Sequence, residues 1–94
     1  NKFDKDVKNL IIFKKVLLES NFLNESDLIA SIQPLLKEGN LWQPHALLLL
    51  GDFFVSKKEY VKAREFYNKV FSIKNLRKEL YERSRSQLTL IKNE

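Results

Sequence analysis

The chain of 94 residues suits one small domain, and an apolar fraction of 44% argues against disorder. Two Gly and two Pro are too few for a turn-rich β protein, so an all-α fold is expected, and zero Cys excludes disulfides and thiolate metal sites. The net charge of +5 arises from 17 basic residues interspersed with 12 acids, which reads as a solvated mixed-sign surface and makes nucleic acid an unfavoured partner.

Five helical segments are expected in chain order. The first, 4–21, is expected to turn Val7, Leu10, Ile11, Leu17 and Leu18 inward, with Phe13 and Val16 widening the stripe and Ile12 outside it. That excess apolar width suggests a further helix, or a second copy of the chain, packed on this side. The second begins after Asn24, a good N-cap, with Asp27 in the first turn and Leu23 and Leu28 as a hydrophobic staple. Its inward face is Leu28, Ile29, Ile32, Leu35 and Leu36; Pro34 is expected to kink it and Gly39 to close it in left-handed conformation.

The third helix opens at Pro44 and is apolar on every side through Ala46, the four leucines 47–50, Phe53, Phe54 and Val55, as befits a central element. Ser56-x-x-Glu59 reads as a capping box, which starts the fourth helix near Lys57. Tyr60, Ala63, Tyr67, Val70 and Phe71 form its buried stripe, with Phe66 added. The fifth, 76–92, turns Leu80, Tyr81, Ser84, Leu88 and Ile91 inward and leaves a charged outer face.

The middle of the chain carries a repeat-like pattern: Leu47-x2-Leu50-Gly51-x2-Phe54, then Tyr60-x2-Ala63-x3-Tyr67, with Gly51 and Ala63 twelve apart. It resembles the tetratricopeptide repeat, a helix–turn–helix unit of about 34 residues that buries its apolar faces by stacking on neighbours. Gly51 and Ala63 allow close approach of the paired helices, and Phe54, Tyr60 and Tyr67 fill the space around them. Val70 and Asn75 depart from the repeat, which commonly has alanine and proline there, and the hairpin 4–38 lacks its signatures.

The resemblance implies a single tetratricopeptide-like domain over 1–94 that binds a protein or peptide partner, with self-association as a further possibility. Its concave face would hold His45, Leu48, Leu49 and Asp52, with Glu82 and Ser86 from the last helix. Leu48 and Asp52 stand where some members place carboxylate-gripping side chains, so a carboxylate clamp is not expected.

A narrower resemblance runs from Pro34-Leu35-Leu36 and Asn40-Leu41-Trp42 through Leu76 to Leu90. It is to the periplasmic C-terminal region of bacterial single-span inner-membrane proteins similar to the ancillary translocon subunit. It implies a membrane-anchored envelope protein that assists other proteins by contact. The longest apolar run, 46–50, is far short of the roughly 20 residues that span a bilayer. Any membrane attachment is therefore expected from an anchor outside these residues, and the lack of a Met at position 1 agrees with a piece of a longer chain.

Trp42 reads as a plug at a helix junction, or as an exposed anchor. His45, the sole histidine, has no Cys or second His to form a familiar zinc site. No nucleophile–base pair, Gly-rich phosphate loop or paired carboxylates is evident, so neither an enzyme, a cofactor nor a small-molecule substrate is expected. Arg77, Lys78, Arg83 and Arg85 make the last helix the most basic stretch. Binding of nucleic acid or an anionic membrane there is the alternative to a protein-interaction role.

Overall fold

The computed structural model describes residues 2–37 and 39–92. Five α-helices lie among them: α1 (Lys2–Glu19), α2 (Glu25–Ile32), α3 (Gln43–Ser56), α4 (Tyr60–Val70) and α5 (Lys78–Lys92). The architecture is all-α and is built of helical hairpins. Two compact units divide the chain, Asn1–Ala46 and Leu47–Glu94, and the boundary falls within α3.

In the first unit, α1 and α2 pack as a hairpin. The chain leaves α1 through amide bonds of Phe22 and Leu23 to the Glu19 carbonyl. Asn24 then caps α2 as its sequence position demands: its side-chain oxygen accepts the Asp27 amide at 2.8 Å, and acids occupy the first turn. Leu28, Ile32 and Leu35 are fully buried, with Ile29 and Leu36 partly so. The expected kinked helix is instead a shorter one. α2 ends at Ile32, and Pro34 sits in a 3₁₀ turn, Gln33–Leu35. The proline ring fits this tighter turn without the clash it would cause inside an α-helix. Gly39 takes the left-handed conformation (φ +83°) in the loop that follows.

The packed face of α1 differs from the expected one. Asn9 and Val16 are buried and Ile12 and Phe13 half-buried, while Val7, Ile11, Leu17 and Leu18 are exposed. A helix with apolar residues around so much of its girth offers two possible faces. The one holding Phe13 is used, because that ring stacks on Trp42.

In the second unit, α3 and α4 run antiparallel, and α5 runs antiparallel to α4. Leu47, Leu48, Leu50, Phe53 and Phe54 of α3 are buried, as are Ala63, Tyr67 and Val70 of α4 and Ser84 and Ile91 of α5. Phe54 stacks face to face on Phe66 at 5.4 Å, and Phe71 meets Tyr81 edge-on at 5.0 Å. Arg64 of α4 donates to the Ile91 carbonyl at 3.4 Å, a cation placed at the carbonyl-rich end of α5.

The capping box expected at Ser56–Glu59 does not form. α3 extends through Ser56, whose hydroxyl donates back to the Phe53 carbonyl at 2.6 Å, and α4 starts at Tyr60. Lys58 adopts φ +61°, its amide bonds to Val55 and that of Glu59 bonds to Phe54. This pair of reversed hydrogen bonds closes α3 as a Schellman motif, with a lysine in the place usually given to glycine.

Candidate functional site

The second unit is organised around Gly51. A Cβ built on that residue would lie 2.5, 2.7 and 2.8 Å from Cε1, Cζ and Cδ1 of Tyr67. The tyrosine ring therefore occupies the volume that any larger residue would need. Ala63, one turn earlier than Tyr67 on α4, is fully buried. Gly51 thus allows the close approach expected of it.

The Tyr67 hydroxyl passes beyond Gly51 and donates to Oδ1 of Asp52. Gln87 Nε2 donates to the same oxygen at 3.1 Å and reaches the phenol oxygen at 3.4 Å. Arg83 donates to Oδ2 at 2.8 Å. One carboxylate on α3 thus gathers a donor from α4 and two from α5. Burial, reinforced by the Asp52 hydrogen bond and charge, holds the Tyr67 phenol well above the usual tyrosine range. It acts as a hydrogen-bond donor and not as a base. Arg83 and Gln87 are four residues apart, so both project from one face of α5. That spacing, together with a lone acid on an otherwise apolar helix, was the readable signal for the network, yet Gln87 carries no obvious motif.

The first unit holds a second polar–aromatic centre. Phe13 and Trp42 stack with ring centroids 5.3 Å apart, and His45 lies at 5.9 Å from Phe13 and 5.2 Å from Trp42. Asn40 sets the loop that carries them: its Oδ1 accepts the Trp42 amide at 2.7 Å, and its Nδ2 reaches the Pro34 carbonyl at 3.5 Å. Gln43 donates to the Leu36 carbonyl at 3.3 Å. The Trp42 indole N–H is buried and meets no acceptor among the described residues. These contacts give Trp42 the place of a packed junction plug rather than a free-standing anchor.

The residues expected on a concave partner-binding face are distributed differently. Leu48 is only 2% exposed and belongs to the core. Leu49 is half-buried, His45 is engaged with the aromatic pair, and Asp52 is committed to its three donors. Glu82 and Ser86 are exposed, Glu82 pairing with Lys78 at 3.9 Å. Ser86 shares a shallow depression with Arg85, Thr89 and Leu90.

Of the four basic residues at the end of the chain, Arg83 is drawn into the Asp52 salt bridge at 2.8 Å and Lys78 into that with Glu82. Arg77 and Arg85 are exposed. Among the described residues no three His, Cys, Asp or Glu side chains converge as metal ligands would, and no helix is long and apolar enough to cross a membrane. No protein-family model, curated protein or solved structure matches the chain.

Proposed function

We propose that this chain is a non-catalytic protein-interaction module built of tetratricopeptide-like hairpins. The observation that supports it most is the interlock of Gly51 with the Tyr67 ring. It falls at the positions on which the repeat resemblance rests, and repeats of that type present helix faces to peptides. The Asp52 network adds support from the other direction, since the unit's most connected polar group is consumed in holding helices together. Chemistry at this centre has no vacant base or nucleophile to begin from.

The narrower resemblance places the module, in this proposal, in a membrane-anchored bacterial envelope protein on the periplasmic side, assisting assembly or translocation of other proteins. Protease accessibility of the parent protein in spheroplasts tests that location. The alternative, nucleic-acid or anionic-membrane binding through α5, draws on exposed Arg77 and Arg85 but loses Arg83 and Lys78 to acidic neighbours.

Titration with oligonucleotides and anionic vesicles at low and high salt separates the readings. Salt-sensitive binding that Arg77→Glu and Arg85→Glu abolish sinks the interaction-module proposal. Binding of amphipathic peptides, with neither of those ligands bound, sustains it.

A further inference from the structure

The face of α1 that does not pack carries its own pattern. Val7, Ile11, Lys14 and Leu18 recur at steps of four, three and four residues, which keeps them in one line along the helix. Ile11 is 62% exposed, Leu18 78%, and Phe22, just past the helix end, 88%. Leu17 widens the line on one flank. Aligned apolar side chains left in water in this way mark an interaction surface.

Charge selects what covers it. The other flank carries exposed Lys8 and Lys15, and Lys14 interrupts the apolar line itself. The acids on this side are Asp4 at one end and half-buried Glu19 at the other. A second copy laid antiparallel would bring Lys8 and Lys15 against the same lysines, a like-charge contact that disfavours that pairing. A lipid surface would meet these lysines with its headgroups, and the vesicle titration below sets it against a helix. A helix with a complementary apolar seam and carboxylates along its edge answers all three lysines.

We propose that this face of α1 docks an amphipathic helix of a partner protein. The partner's apolar seam meets Val7, Ile11 and Leu18, and its acidic side chains meet Lys8, Lys14 and Lys15. The inference rests on the interaction-module reading and names the partner's chemistry.

Two designed helical peptides test it, each with leucines at the same four-three-four spacing, one flanked by glutamates and the other by lysines. Calorimetric titration of the full chain should show the glutamate peptide binding at least about tenfold more tightly. Ile11→Glu and Leu18→Glu should each weaken it by about tenfold or more, and the double variant Lys8→Glu/Lys15→Glu should shift the preference toward the lysine peptide. All four substituted side chains are exposed, and an unchanged far-ultraviolet dichroism spectrum certifies each variant.

Equal binding of both peptides overturns the proposal, as does a dimer that Ile11→Glu dissolves. Glutamate-peptide binding that survives Ile11→Glu but is lost in Leu49→Glu overturns the α1 assignment and leaves the interaction-module reading standing. Ile11-dependent binding to phosphatidylglycerol vesicles, with neither peptide bound, overturns both.

Discussion

Replacing Gly51 by alanine sets two opposing terms against each other. In an ordinary helix interior the change stabilises by about 1 kcal/mol, because glycine loses more backbone freedom on folding. Here the new methyl would start 2.5 Å from the Tyr67 ring, whereas ordinary contact begins at 3.4 Å. The ring cannot swing into solvent, since Tyr67 is fully buried and its hydroxyl is tied to Asp52. Overpacking of this kind costs about 1–3 kcal/mol, and displacing a hydrogen bond to a charged acceptor costs about 1.5–3 kcal/mol more. The net expectation is a loss of about 1.5–5 kcal/mol, opposite in sign to the propensity effect. Urea denaturation followed by far-ultraviolet dichroism measures it. The Gly51→Ala/Tyr67→Leu double variant supplies the control, because a smaller, flexible side chain at 67 removes most of the penalty. If Gly51→Ala alone stabilises the protein, the close-contact reasoning is wrong.

Ser84→Ala is expected to raise stability by about 1 kcal/mol, since the hydroxyl is buried without a partner among the described residues; a lowered urea midpoint contradicts this. Lys58→Gly should stabilise by about 0.5–1 kcal/mol by relieving a left-handed lysine at the end of α3, as read from the thermal midpoint. Tyr67 predicts an alkaline weakness. The folded phenol keeps its proton above the ordinary tyrosine value of about 10 while the unfolded one releases it, so the folded state holds more protons and its stability falls as pH rises past that point. Urea midpoints measured on either side of pH 10 should drop further for the natural protein than for Tyr67→Phe; parallel drops dismiss the assignment.

Local structure is legible in the sequence where one local cause dominates. Asn24 caps α2 because a short polar side chain before a run of acids and apolar residues has few other uses. Gly51 was legible as a point of close contact because glycine inside a helix needs a packing reason. Local structure is ambiguous where two local solutions compete. Ser56 and Glu59 could begin α4 or end α3, and the pattern is the same until Lys58 accepts a left-handed backbone. α1 is apolar around too much of its girth for periodicity to choose a face, and the choice fell to Phe13 finding Trp42, far along the chain. Asp52 reads in the sequence as a residue of the concave face because its donors, Tyr67, Arg83 and Gln87, lie 15 to 35 residues away.

The boundary inside α3 also sorts the chain's chromophores. Trp42, the sole indole, belongs to residues 1–46, whereas Tyr60, Tyr67 and Tyr81, all three tyrosines, belong to residues 47–94. Indole emission excited at the red edge of its band therefore reports on the α1–α2 unit. Tyrosine difference absorbance reports on the unit held by Asp52. One denaturant titration, read at both signals without any attached label, yields a separate unfolding curve for each half, and each stability change forecast above for the second unit should move the tyrosine curve.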